Sequence, residues 1–260
     1  MIDFSGKRGL VLGVGNQRSI AWAVVERLHQ QGAELGLTFL RDPKGRFEAN
    51  VRKLGEQTSA TLIAECDVAS DESIGALIKQ VDEQWGELDF LVHSLAYADT
   101  QDLSKPFSET LRDGFNKAME ISAYSLLPLA KGVIPMMRKR GGGSIVSMSF
   151  IGSTLAVPNY NVMGPAKAAL ESCTRYLARE LGPENIRINS LSPGAIRTLS
   201  SAGIKDISEM IRVAGEHSAM KRTATQAEVA NTAAFLLSDA ASGITGQLIY
   251  VDCGYSIMAN

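Results

Sequence analysis

Apolar runs of four to seven residues alternate along the chain with longer stretches in which apolar residues recur every three or four positions. Residues 8–13 read as a buried first strand, and residues 20–28 follow at helical spacing with Ser19 placed to cap the helix. The same alternation returns at 33–39, 60–64, 88–92, 143–148 and 186–191, each run preceding a turn and a helical stretch, and 248–251 ends the series. Seven strands joined through helices require right-handed crossovers and a parallel sheet covered on both faces. The pattern therefore predicts one α/β domain over residues 1–260, a doubly wound parallel sheet of seven strands, with no linker or internal repeat.

Composition agrees with one domain: 260 residues at 45% hydrophobic can bury a large core. A net charge of -2 gives no general attraction for nucleic acid or an anionic membrane, so small molecules or specific proteins are the expected partners. Residues 1–6 lack a secretory signal pattern, and no apolar run reaches the roughly 18 residues needed to span a bilayer. A cytoplasmic protein is expected. Cys66, Cys173 and Cys253 are odd in number and lack ligand spacing, and the three histidines stand far apart, which supports neither a disulfide framework nor a metal site.

Two features carry chemistry. After the first strand comes Gly13-Val14-Gly15-Asn16-Gln17-Arg18-Ser19-Ile20-Ala21, where glycines admit close backbone approach to a pyrophosphate and the following helix offers unpaired amides. Arg18 takes the third glycine position of the usual Rossmann-type fingerprint, and a tight turn with no ligand would read similarly. Farther along, Tyr160 and Lys167 stand seven residues apart, about two turns at ~3.6 residues per turn, which puts phenol and ammonium on one helix face. A cation near a phenol favours its use as a proton or hydrogen-bond donor to a developing oxyanion, although Tyr160 by itself also reads as a core phenol. Asp67 reads equally as a turn cap, His93 as a structural hydrogen-bonded histidine, and Cys66 and Cys253 as small buried hydrophobes.

Ser19-Ile20-Ala21, Cys66-Asp67-Val68, His93-Ser94-Leu95-Ala96, residues 158–164 with Lys167, Ile196-Arg197-Thr198-Leu199 and Gly243-Ile244-Thr245-Gly246 together resemble the bacterial enoyl-acyl-carrier-protein reductases. These form a divergent branch of the short-chain dehydrogenase/reductase superfamily. The resemblance implies reduction of an enoyl thioester on acyl carrier protein, NADH as cofactor with NADPH as the alternative, and a homotetramer. It implies that Tyr160 hydrogen-bonds the thioester carbonyl and that Lys167 holds the nicotinamide ribose. Gly13, Ser19 and Ile20 would meet the pyrophosphate, Asp67 and Val68 the adenine, Leu95 the adenosine side, and Ile196 and Thr198 the nicotinamide end. Ala98, Phe150 and Tyr160 would border the acyl pocket.

Four departures qualify that transfer. Phe150 stands ten residues before Tyr160, where most of the family has a second tyrosine, and Ser192-Pro193-Gly194-Ala195 replaces the usual Ser-Ala-Gly-Pro. Ser147, thirteen residues before Tyr160, sits at the interval of a ketoreductase serine. Residues 198–219, a substrate lid in relatives, place Ile204, Ile207, Met210 and Ile211 at helical spacing, as would an ordinary surface helix. At the second strand's tip Arg41 and Lys44 could meet a 2′-phosphate or stand as solvated loop charges. A ketone reductase and a non-catalytic nucleotide-binding regulator are the competing functions.

Overall fold

The computed structural model describes residues 2–198 and 200–259. Its strands are β1 (Arg8–Leu12), β2 (Glu34–Phe39), β3 (Leu62–Glu65), β4 (Phe90–His93), β5 (Gly143–Met148), β6 (Ile186–Pro193) and β7 (Leu248–Val251). They form one sheet in the order β3-β2-β1-β4-β5-β6-β7, and every pairing is parallel. The seven-stranded doubly wound sheet expected from the sequence is what forms. Boundaries shift by a few residues: β4 begins at Phe90 rather than Leu88, and β6 runs on through Pro193.

Alternation along each strand sends side chains to opposite faces, where two separate cores receive them. Val11, Phe90 and Val92 join one core, covered by α1 (Ile20–Gln30), α2 (Arg46–Gln57) and α9 (Gln226–Leu237). Leu10, Leu12 and Leu91 join the other, covered by α3 (Asp71–Trp85), α6 (Leu126–Lys139) and α7 (Met163–Leu181). The remaining helices, α4 (Thr100–Ser104), α5 (Arg112–Met119) and α8 (Ile207–His217), lie outside this sandwich. Among the described residues no helix is long and apolar enough to cross a membrane, and no group of three or more His, Cys, Asp or Glu could hold a metal ion.

Candidate active site

Strand order reverses between β1 and β4, which pair through Leu12 and His93 and open a crevice at their carboxyl ends. Gly13 follows β1 with φ +93, and a Cβ there would lie 2.0 Å from the Ser94 carbonyl oxygen. No side chain fits. The turn is then closed by its own polar groups: Arg18 N–H donates to Asn16 Oδ1 at 2.8 Å, and Ser19 Oγ donates to the Asn16 carbonyl at 2.7 Å. Ser19 Oγ also accepts from Trp22 N–H at 3.2 Å, making it the expected cap of α1. The amides of Ile20 and Ala21, in the first helical turn, find no acceptor among the described residues. A glycine at a close backbone approach, followed by unpaired helix amides, fits the phosphates of a dinucleotide.

Asp67 follows β3, where its Oδ1 accepts from Ala69 N–H at 3.0 Å while Ser70, not Asp67, caps α3. One oxygen of Asp67 thus holds the turn, as a structural cap would. Val68 and Leu95 are half-buried at the edge of the second core, and Ile196 packs against the first. Thr198 Oγ1 accepts from Ser201 N–H at 3.0 Å and so stiffens the chain as it leaves β6. Leu199, in the motif that follows Ile196, lies outside the described residues.

Tyr160 and Lys167 do not share the expected two-turn helical face. α7 starts at Met163, so Tyr160 stands ahead of the helix in a turn, while Lys167 lies within it. Asn159 and Asn161 flank the tyrosine with φ +59 and +36, left-handed conformations that exclude a continuous helix. Asn161 Nδ2 donates to the Leu103 carbonyl at 3.0 Å and Asn159 Nδ2 to the Lys205 carbonyl at 3.2 Å, fixing the turn to both neighbouring segments. Pro165 is tolerated because it falls in the first turn of α7, where no intrahelical N–H bond is lost.

Lys167 is 3% exposed, and its Nζ donates to the Leu95 carbonyl at 3.1 Å and the Met148 carbonyl at 2.7 Å. An ammonium has three donors, so one remains for a ligand hydroxyl such as a ribose diol. Burial pulls its pKa down to about 8, opposed by the Glu171 carboxylate. Burial, reinforced by Glu171, raises the Tyr160 phenol well above its ordinary value and keeps it a neutral donor. His93, fully buried with Nε2 at 2.8 Å from Ser125 Oγ, is driven down to about 3 by burial and by the Lys167 charge, so it is a neutral structural residue.

Tyr160 belongs to a third apolar cluster, apart from both sheet cores, with Leu103, Val162 and Met163; Ala98, Phe150, Val157 and Ile204 pack against it. Ala98, Phe150 and Tyr160 are thereby brought together, with Ile204 from the segment 198–219 beside them. The stripe of Ile207, Met210 and Ile211 on α8 is half-buried. A Cβ on Gly152 would meet Tyr160 Cδ1 at 2.4 Å, so the phenol ring lies directly over that glycine. Ser147 is elsewhere: its Oγ is 2.7 Å from Ser190 Oγ and 3.3 Å from Thr174 Oγ1 in a fully buried hydroxyl cluster between β5, β6 and α7. Cys66 is buried as expected, its thiol pushed up to about 12 by burial, whereas Cys253 is half-buried with φ +58. The sequence reading missed Glu171 and Ser149, whose hydroxyl donates to the Glu171 carboxylate. The signal was present, since Glu171 follows Lys167 by one helical turn.

The chain as a whole resembles known proteins in sequence and in backbone. A family model described as Enoyl-(Acyl carrier protein) reductase matches residues 13–256. The chain is 52% identical over 258 residues, 99% of both chains, to "Enoyl-[acyl-carrier-protein] reductase [NADH] FabI" of Synechocystis. It superposes on an enoyl-acyl-carrier-protein reductase of Anaplasma phagocytophilum in complex with NAD at a TM-score of 0.94 and 39% identity, covering 99% of this chain and 96% of that one. A Bacillus cereus enoyl-acyl carrier protein reductase with NADP+ and an indole naphthyridinone gives a TM-score of 0.95 at 41% identity, covering 100% of both. Agreement of this extent in sequence and in backbone makes the chain a member of the enoyl-(acyl carrier protein) reductase family.

Proposed function

We propose that this chain reduces the 2,3 double bond of an enoyl thioester carried on acyl carrier protein, with NADH as cofactor, in fatty-acid synthesis. The reading is carried by one observation: Tyr160 packs with Ala98 and Phe150, from the segments that follow β4 and β5, and Lys167 reaches the Leu95 carbonyl in the first of those segments. The bound cofactor supplies the hydride. Gly13, the Ser19 cap and the Ile20 amide receive its pyrophosphate, Asp67 and Val68 its adenine, Leu95 the adenosine side, and Ile196 with Thr198 the nicotinamide end. Lys167 donates its remaining proton to the ribose hydroxyls and so fixes the angle of attack. Tyr160 donates to the thioester carbonyl oxygen as negative charge grows there, in surroundings from which the apolar cluster excludes water. Residues 198–219 form the lid over the acyl chain.

NADH is favoured by the name of the Synechocystis relative and by Arg41, which pairs with Glu65 at 2.6 Å and so has a carboxylate partner within the chain. A ketone reductase would require a serine at the phenol, and Ser147 is engaged with Ser190 and Thr174 instead. We place the enzyme in the cytoplasm as a homotetramer; the half-exposed apolar residues of the edge strand β7 and the exposed Ile257 beyond it support a contact between copies. Steady-state turnover of crotonyl and acetoacetyl thioesters, each with NADH and NADPH, tests the function. Faster reduction of the crotonyl thioester with NADH is expected. Preferential acetoacetyl turnover would replace this reading with a ketone reductase, and no turnover of either with a nucleotide-binding regulator.

A further inference from the structure

Two buried charged side chains stand one helical turn apart on α7, Lys167 at 3% and Glu171 at 7% exposure. Around them the same helix contributes Leu170 to the second core and Thr174 to the buried hydroxyl cluster with Ser147 and Ser190. Burying either charge alone is costly, and a chain retains such a group where an opposite charge offsets the loss of water. No direct ion pair joins the two. Lys167 Nζ is turned to the Leu95 and Met148 carbonyls, and Glu171 receives the Ser149 hydroxyl from just beyond β5. The carboxylate therefore acts through space on an ammonium whose protons remain directed at backbone oxygens and at the ligand.

We propose that Glu171 is a positioning residue: its buried carboxylate is the counter-charge that keeps Lys167 protonated in a nearly dry site, so that the ammonium can grip the cofactor ribose. Removing the carboxylate would lower the pH at which Lys167 loses its proton, because Glu171 favours the charged form. The titratable groups on this site are His93 from the end of β4, which burial keeps neutral, Tyr160 from the turn before α7, and Glu171 from α7 itself. Beside them β5 supplies the Met148 carbonyl, and the segment after it supplies the Ser149 hydroxyl. Burial keeps the Tyr160 phenol in its neutral, donating form, and the same carboxylate reinforces that. One negative charge thus favours the protonated form of both partners, keeping the lysine charged and the tyrosine un-ionised.

The inference rests on Lys167 as the cofactor-holding residue, and the test separates the two. In the apoprotein, the Lys167 Cε carbon resonance, assigned by its loss in Lys167→Arg, is followed against pH by NMR in the parent, in Glu171→Gln and in the apolar Glu171→Met. A titration midpoint lower by about one pH unit or more in the neutral variants is expected, with Glu171→Asp close to the parent. NADH affinity, read by fluorescence titration, should then fall at a correspondingly lower pH in Glu171→Gln while staying within twofold of the parent at pH 6. An unmoved midpoint, or a weakening equal at every pH, would overturn the proposal. If Lys167→Ala binds NADH as the parent does, the reading of Lys167 fails instead.

Discussion

The Phe150 and Tyr160 rings lie against each other, centroids 4.7 Å apart and planes inclined at 55°. Phe150 stands where most of the family carries a second phenol, so in this chain the position gives the first phenol an apolar wall and supplies no second hydroxyl. With Gly152 beneath the ring and Phe150 beside it, Tyr160 has little rotational freedom, and its hydroxyl is held for one direction of donation.

Tyr160→Phe should lower kcat by about 10² or more, because the lost hydrogen bond is made to an oxygen whose charge grows in the transition state. NADH affinity should stay near the parent value, since the phenol ring and its packing are retained. Stopped-flow turnover of a crotonyl thioester, alongside a fluorescence titration of NADH, checks both halves.

Lys167→Ala should lose cofactor affinity as well as turnover, whereas Lys167→Arg should regain part of the binding because it keeps a charge and donors for the Leu95 and Met148 carbonyls. Complete recovery is not expected, since a fork-shaped guanidinium must fit a site closed around a single nitrogen. Isothermal titration of NADH into the two variants distinguishes these outcomes.

Ser147→Ala should cost about 1 kcal/mol of stability, the worth of a buried hydrogen bond, because its hydroxyl is shared with Ser190 and Thr174. Enoyl turnover should change less than about tenfold, in contrast to the roughly 10²-fold loss due from a carbonyl-polarising serine. Urea unfolding and initial rates on the same preparation measure the two effects.

His93 should make the fold sensitive to mild acid. Its pKa is held near about 3 in the folded chain, first by burial and then by the Lys167 charge, against an ordinary value of 6.5. Between those limits the unfolded chain binds a proton that the folded chain refuses, so stability declines as pH falls through 6.5 toward 3. The depressed carboxylates, Glu228 at about 2 among them, lose their contribution at lower pH than the upper part of this window. Urea midpoints between about pH 6.5 and 5 should therefore slope less steeply in His93→Gln than in the parent, whatever the overall stability of the variant.

The seven-strand parallel sheet, the Ser19 cap and the family were legible in the residues alone, because strand period, helix period and capping chemistry are local properties that tertiary packing here reinforced. The spacing of Tyr160 and Lys167 was also legible, but a shared helix face does not follow from it, since the flanking Asn159 and Asn161 have positive φ and α7 starts only at Met163, after the tyrosine. That choice depends on the carbonyls of Leu103 and Lys205, which the side chains of Asn161 and Asn159 reach from remote segments.

By itself, then, the sequence determined which residues could do the chemistry and on what kind of scaffold, through periodicity and residue type. Only the tertiary structure decided which hydroxyl stands free and which is spent. Ser147 and Tyr160 are thirteen residues apart, yet one is sealed among hydroxyls from β6 and α7 while the other faces an apolar cluster built from widely separated stretches of chain. It also decided that Glu171 and Lys167 share a nearly dry interior, where their charges act on each other far more strongly than water would allow. Burial and long-range contact are properties of the folded chain, and no local pattern encodes them.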